Sequence, residues 1–178
     1  AMQFTLDVGG GNVAVYQWNI AAMERVLIVG YFHGGDLNTA RLLAGTEQYS
    51  GADFSDVPNN YYIGGNEAYS PGSLERQQIS KNASGYTVLS SDSTIFVETD
   101  DPSSQVFGLA LYCNSASGSE EQTLYMKAGS TSQWFKTITS SDSTAALNTG
   151  FDAVGMHLSY FNNETGFQIC PFYVWGAA

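Results

Sequence analysis

Residues 106–113, VFGLALYC, and residues 151–161, FDAVGMHLSYF, decide the fold class of this chain. Both stretches alternate with a period of two, which is the pattern of a β-strand that buries one face. The alternation predicts eight core residues on two strands: Phe107, Leu109, Leu111, Cys113, Val154, Met156, Leu158 and Tyr160.

Similar segments surround these two. Five further segments have the same alternating pattern, and clusters of Ser, Gly, Asp and Asn that predict turns separate them: residues 86–89, 94–98, 122–128, 133–139 and 167–175. Residues 25–32 are apolar on both faces, as expected of a strand between two layers. Residues 3–8 and 13–19 are predicted to form a hairpin whose turn contains Gly9, Gly10 and Gly11. Residues 74–79 are predicted to form a short edge strand. The chain is therefore predicted to be all-β, an antiparallel β-sandwich or jelly roll.

At most one short helix is predicted. Asp36 is a suitable N-cap for a helix that runs to Leu43, and Gly45 follows as a stop signal. The 178 residues fit one domain, 1–178, and we expect Ala1 and Met2 to be a cloning remnant.

Charge excludes some partners. Six Lys and Arg against seventeen Asp and Glu give a formal net charge of -11, which disfavours nucleic acid and anionic membranes as ligands. No apolar run approaches the roughly 20 residues that a membrane helix needs, so no membrane insertion is expected. Only 13% of residues are charged, so solubility must rest on neutral polar side chains. That composition is typical of extracellular and virion-surface proteins.

Residues 45–72 (GTEQYSGADFSDVPNNYYIGGNEAYSPG) are the least regular part of the chain and are predicted to be a long loop rich in tyrosine. Tyrosine rings beside amide and carboxylate groups suit sugars, which present flat C–H faces and many hydroxyls. Tyr61 and Tyr62 are the best candidates to face outward; the alternatives are that the tyrosines pack inward, or that they contact a neighbouring subunit. The predicted ligand-binding residues are Tyr49, Asp53, Asp56, Asn59, Asn60, Tyr61, Tyr62, Asn66 and Tyr69.

No catalytic or cofactor motif is present, and the chain is expected not to be an enzyme. A carbohydrate-active enzyme that uses two carboxylates stays an alternative, because seventeen acids offer many pairs. No cofactor is expected, although Asp53 and Asp56 offer the oxygen ligands that calcium prefers. His157 is expected to be a hydrogen-bonded structural residue, whereas His33, at a strand end, is the better candidate for function.

Cys113 and Cys170 lie in apolar strands, and either a disulfide or two buried thiols fits that pattern. The C-terminal stretch 167–175, FQICPFYVW, is apolar on both faces. Pro171 inside it predicts an edge position or a bulge, because proline cannot donate to a ladder. An apolar strand near an edge suggests a partner chain, and the alternative is burial within its own sandwich. A homo-oligomer, with a trimer favoured, is expected.

The acidic, Ser/Thr/Gly/Asn-rich composition with an aromatic C-terminus is similar to that of receptor-binding tip domains of phage tail fibres and spikes. This resemblance implies an extracellular or virion-surface domain that recognises a cell-surface glycan. The alternative is a purely structural capsid or decoration protein.

Overall fold

The computed structural model describes residues 4–6, 13–33, 37–46, 60–67, 73–74, 76–93, 97–98, 106–128, 133–144, 147, 149–160 and 167–178. These residues contain fourteen strands and no α-helix. The strands are β1 Phe4–Leu6, β2 Val13–Met23, β3 Arg25–His33, β4 Leu37–Gly45, β5 Tyr61–Glu67, β6 Ser73–Leu74, β7 Arg76–Asn82, β8 Tyr86–Asp92, β9 Val97–Glu98, β10 Val106–Asn114, β11 Glu121–Ala128, β12 Phe135–Ser140, β13 Phe151–Tyr160 and β14 Phe167–Ala177.

Twelve of these strands form two six-stranded antiparallel sheets. Sheet A has the order β1-β14-β3-β10-β11-β12, and sheet B has the order β2-β13-β4-β5-β7-β8. Strands β6 and β9 pair separately. The predicted all-β antiparallel sandwich is confirmed, and all seven strands predicted beyond residue 85 are present with slightly shifted ends.

The core lies between the two sheets. Leu109, Leu111 and Cys113 of β10 are completely buried, as are Val154 and Met156 of β13, which confirms five of the eight predicted core residues. Burying each large apolar side chain of this kind contributes about 1.5–3 kcal/mol. The side chains of Phe107, Leu158 and Tyr160 lie outside the described part.

The predicted helix at residues 36–43 is wrong, because β4 occupies most of this segment. Ala40, Leu42 and Ala44 face the core, whereas Leu43 belongs to a separate buried cluster with Ile63. Leu, Ala and Arg are good helix formers, so local propensity favoured a helix. Pairing with β13 and β5 on both sides gives the segment a strand conformation instead.

The predicted N-terminal hairpin is also wrong. β1 pairs with β14 in sheet A, whereas β2 pairs with β13 in sheet B. Neighbours in sequence therefore belong to different sheets, and each pairs with a strand near the C-terminus. A turn signal between two alternating segments cannot reveal such long-range pairing.

The predicted long loop contains a central strand, β5, which pairs with β4 and β7. Its Gly64-Gly65 pair resembles a turn signal, but the two glycines serve close packing. A Cβ on Gly64 would lie 2.6 Å from Leu111 Cδ1, and one on Gly65 would lie 2.1 Å from the Ala40 carbonyl oxygen. The glycines thus allow the strands and sheets to approach each other.

The edge strand predicted at residues 74–79 is wrong as well, because β7 lies inside sheet B between β5 and β8. Pro171, in contrast, lies at a bulge, as predicted: the register of β14 against β3 shifts between Cys170 and Phe172. β1 covers only the first residues of β14, from Phe167 to Ile169. Beyond them this side of β14 has no paired strand within the described residues.

Cys113 is a buried free thiol, and burial raises its pKa. Cys113 lies opposite Val26 and Cys170 lies opposite Tyr31, on the two sides of β3. Five residues along a strand span about 17 Å. The two cysteines are therefore too far apart for a disulfide, which needs Cα atoms within about 7 Å.

Candidate functional site

The outer face of sheet A, turned away from sheet B, carries an unusual concentration of aromatic residues. Val26, Ile28 and Phe32 of β3 point into the core, so the alternate residues of β3 point outward. The strand registers place the outer-face residues in three rows: Tyr31, Gly108 and Lys127; then Tyr173, Val29, Ala110, Tyr125 and Lys136; then Trp175, Leu27, Tyr112 and Thr123.

Trp134, just before β12, folds across this face. Its indole lies edge-on to Tyr31, with 5.8 Å between ring centroids and 68° between planes. A Cβ on Gly108 would lie only 2.6 Å from the Cη2 atom of this indole. Glycine at position 108 therefore provides the space in which the Trp134 ring lies, and Trp134 remains 37% exposed.

Six of the residues on this face line an open trough of about 300 Å³. The small or aliphatic residues Leu27, Val29 and Ala110 lie in the middle, and the larger side chains of Tyr112, Tyr125 and Trp134 line one side. The distance across the sheet from β14 to β11 is three strand spacings, or about 14 Å. The trough is therefore wide enough for a flat ring to lie on the sheet.

Tyr173 and Trp175 of β14 lie on the other side of the trough floor, which consists of Leu27, Val29 and Ala110. Their rings stack, with centroids 5.5 Å apart and an angle of 21° between planes, and both are exposed. Each lies opposite a floor residue of β3, Tyr173 opposite Val29 and Trp175 opposite Leu27. Soluble monomers rarely expose a contiguous apolar patch of this kind without a binding role.

The trough offers a defined chemistry. Aromatic faces and aliphatic groups can contact apolar surface, and the phenol and indole groups supply hydrogen-bond donors at its sides. Small-molecule sites in proteins have this composition, apolar and aromatic with a few polar groups. The arrangement fits a flat ligand with alternating apolar and hydroxyl-bearing surface.

Tyr61 and Tyr62, the tyrosines that the sequence favoured most for an outward position, lie in the interior of the protein. Tyr61 and Tyr62 are 0% and 1% exposed, so these two best candidates for an outward position do not face solvent, and the inward-packing alternative holds for them. Tyr61 packs with Leu43 and Ile63, whereas Tyr62 lies in the main core, edge-on to Phe151. They are adjacent residues of a strand that is buried on both faces, and this leaves neither ring available to a ligand.

The Tyr62 hydroxyl reaches a polar cluster at the end of the core. It lies 2.9 Å from Oδ2 of Asp142, and Lys81 Nζ donates to Oδ1 of the same carboxylate at 2.8 Å. Burial raises the pKa of Asp142, but hydrogen bonds from Lys81, Thr144 and Tyr62 outweigh it, so the pKa lies below its usual value. Burial, and then the bond to Asp142, raise the pKa of Tyr62. The cluster holds the segment after β12 against β5 and β7.

Two of the remaining predicted site residues, Asn60 and Asn66, are described, and neither joins the trough: Asn60 precedes β5 and Asn66 lies in it, in sheet B. Asn60 adopts a left-handed backbone (φ 64°), its amide donates to the Asn82 carbonyl, and its own carbonyl accepts from the Thr46 amide. Asn66 is described by its backbone alone, in β5 opposite Ala40. Five lie outside the described residues and stay predictions: Tyr49, Asp53, Asp56, Asn59 and Tyr69.

A polar cluster lies on the outer face of sheet B. His157 is 5% exposed, lies opposite Arg41 in register, and has no hydrogen-bond partner at Nδ1. It is therefore buried, as a structural residue would be, but Nδ1 lacks the predicted hydrogen bond. Burial, and then the charge of Arg41, lower its pKa to about 3. Arg41 also lies over the ring of Tyr86, 5.9 Å from its centroid, and the Tyr86 hydroxyl accepts from Gln78 at 2.5 Å.

Metal and membrane features are not found in the part of the chain that the structure describes. No group of three or more His, Cys, Asp or Glu side chains there could hold a metal ion. No helix there is long and apolar enough to span a membrane. Asp53 and Asp56, the predicted calcium ligands, fall outside that part, so the calcium prediction is untested.

A larger concavity of about 650 Å³ lies at one end of the sandwich. Small side chains line it, among them Ser115, Ser117, Ser143 and Thr149, and it has no aromatic platform. The trough on sheet A is smaller, but it combines flat apolar surface with polar groups, so we assign the candidate site to the trough.

Sequence reasoning missed this site because its residues come from β3, β10, β11, β12 and β14. A local signal did exist: the outward positions of predicted strands are usually polar, yet Tyr112, Tyr125, Tyr173 and Trp175 occupy such positions. Only the strand order shows that these positions lie on one surface.

No protein-family model and no curated protein matches the sequence. Solved structures show similarity of fold alone. A legume lectin-like domain from Entamoeba histolytica matches with a TM-score of 0.57 and 12% identity over 99% of this chain and 84% of that one. Lectin UEA-II, solved with galactose, has a TM-score of 0.52 and 14% identity over 99% and 86%. The CBM2 module of the evolved Dit of Lactobacillus casei BL23 phage J-1 has a TM-score of 0.51 and 8% identity over 90% and 67%.

Proposed function

We propose that this domain is a non-enzymatic carbohydrate-binding module and that the trough on sheet A is its binding site. The observation that carries the proposal is the aromatic trough itself, with Trp134 seated over Gly108 at one end and the Tyr173–Trp175 stack on the far side. Sugar rings present flat C–H faces to aromatic rings, and their hydroxyls suit the phenol and indole groups at the sides.

The fold supports this proposal. Two of the structural neighbours described above are lectins or lectin-like, and one of them was solved with galactose. The third is a module of a phage protein, which supports the finer proposal of a receptor-binding role in a phage tail fibre, spike or similar assembly. We also propose that the domain recognises a cell-surface glycan and is extracellular or lies on a virion surface. It is further proposed to form a homo-oligomer, with a trimer favoured.

Glycan-array screening followed by titration calorimetry with the best oligosaccharide tests the function. Trp134→Ala and Tyr125→Ala are expected to weaken binding about tenfold or more each, because truncating a Trp or Tyr that anchors a binding site commonly costs about 2 kcal/mol or more. The matched control is Phe135→Ala. Phe135 is exposed, adjacent to Trp134, and lies opposite the core residue Met126 instead of in the trough.

Gly108→Val provides a second test that removes no aromatic group. Its side chain would occupy the space of the Trp134 indole and displace it. We expect binding to fall while the circular dichroism spectrum of the sheets is unchanged. Blank arrays and no adhesion to cells, with the folded protein, would contradict the proposal.

A structural role as a capsid or decoration protein is the second candidate function. One observation favours it: the exposed Tyr173 and Trp175 lie on β14, whose edge is unpaired beyond Ile169 within the described residues. Such a surface can join another subunit. Loss of oligomer mass in Trp175→Ala, with no glycan binding by the parent protein, would favour this role over carbohydrate recognition.

A further inference from the structure

The trough is elongated and polarised in charge, and both properties bear on the ligand. Tyr31 and Leu27 mark its two ends on β3, four residues apart, which corresponds to about 13 Å along the strand. Aromatic residues stand at both ends, Trp134 beside Tyr31 and Trp175 opposite Leu27. This length exceeds one sugar ring, so the groups at both ends can be contacted together only by a chain of sugars.

Basic charge is concentrated at the Trp134 end. The whole chain has six Lys and Arg against seventeen Asp and Glu, yet two of the six belong to the rows of the trough. Lys127 lies opposite Gly108, over which Trp134 folds, and Lys136 lies opposite Tyr125. Neither ammonium group forms an ion pair with another described residue.

Acidic charge predominates at the other end, because Arg25, which lies in the same row as Glu121, pairs with Glu24. Glu121 is six residues from Lys127 on β11, or about 20 Å away. The Thr123 hydroxyl donates to Glu121 Oε1 at 2.5 Å and so holds this carboxylate at its own end. The strand therefore carries a charge gradient along the trough, in a protein whose overall field repels anions.

We infer that the ligand is an extended oligosaccharide with anionic groups on its sugar rings, carboxylate or ester sulfate, and that Lys127 and Lys136 contact those groups. The inference rests on the carbohydrate-binding function proposed above and adds the class of ligand. The aromatic rings provide affinity for the sugar chain, whereas the two lysines select for charge. Because the lysines are near the surface, we expect a three- to tenfold preference over an uncharged chain.

Titration calorimetry on the full chain with hexasaccharides of matched length tests the inference. The probes are a neutral cello-oligosaccharide, a carboxylated oligogalacturonate and a sulfated galactan oligosaccharide, each measured at about 0.02 M and about 0.3 M salt. We expect one or both charged probes to bind more tightly at low salt, and the preference to shrink at high salt. Tighter binding of the oligogalacturonate would identify carboxylate as the anionic group, and tighter binding of the sulfated probe would identify ester sulfate.

Lysine variants connect that preference to the site. Lys127→Gln and Lys136→Gln are expected to lose most of the charge preference, because each lowers the affinity for the charged probes more than the affinity for the neutral probe. Arg25→Gln is the matched control: it removes the same charge from β3, and the exposed Arg25 pairs with Glu24 instead of lining the trough.

The outcomes separate the two proposals. Equal binding of neutral and charged probes, abolished by Trp134→Ala but not by the lysine variants, would overturn the inference and leave the proposed function intact. A monosaccharide that binds as tightly as its hexasaccharide would overturn the extended-chain part. Binding of none of the probes, together with blank glycan arrays, would overturn the carbohydrate-binding function as well.

Discussion

Replacement of His157 by glutamine should remove much of the acid sensitivity of this domain. His157 is almost completely buried opposite Arg41, with Nδ1 unpartnered, and its pKa is lowered to about 3. In the unfolded chain the imidazole titrates near 6.5. Between these two pKa values the unfolded state binds a proton that the folded state does not. Stability is therefore complete above about pH 6.5 and falls as the pH decreases towards 3.

The size of the effect follows from the two pKa values. The slope approaches about 1.4 kcal/mol per pH unit below pH 6, and the integrated loss from pH 7.5 to pH 5 is about 2 kcal/mol. Urea unfolding at these two pH values measures it. We expect the parent protein to lose about 2 kcal/mol more than His157→Gln over this interval, because all other titrating groups are shared.

His33→Gln is the control for loss of a histidine as such, since the chain has only these two histidines. The reasoning is refuted if the parent and His157→Gln lose the same free energy between pH 7.5 and pH 5 within about 0.5 kcal/mol, a difference that extrapolation error alone can produce.

Three further predictions concern stability, measured by urea unfolding at neutral pH and, for Asp142, also in acid. Gly64→Ala should cost about 1–3 kcal/mol through overpacking of the core, and Gly65→Ala should cost more, because its methyl group would meet backbone atoms of β4; equal costs would contradict this packing. Asp142→Asn should cost about 1–3 kcal/mol by removing the charged partner of Lys81. Since the pKa of Asp142 is lowered, this difference should be present above about pH 3.9 and vanish as the pH falls through the folded pKa; a difference that persisted in acid would refute it. Gly118→Ala should cost about 1–2 kcal/mol through backbone strain alone, since φ is +78° and its methyl group would contact nothing; a neutral result would refute this.

The sequence by itself determined the class of fold and much of the core. Alternation in β10 and β13 is a local property, because successive side chains of a strand point to opposite faces whatever the strand pairs with. Leu109 and Val154 could therefore be assigned to the core before any pairing was known. Pro171 could be assigned to a bulge in the same way, because a missing N–H is a property of the residue.

Only the tertiary structure decided which strands meet, and with them the site. Helix propensity at residues 36–43 and the Gly64-Gly65 turn signal were both overridden by neighbours distant in sequence. Tyr61 and Tyr62, the best candidates to face outward, are buried because both faces of β5 are covered at these positions. The aromatic trough appears only when β14, β3, β10, β11 and β12 align in that order, since these five separate strands supply its residues and no single segment records their register.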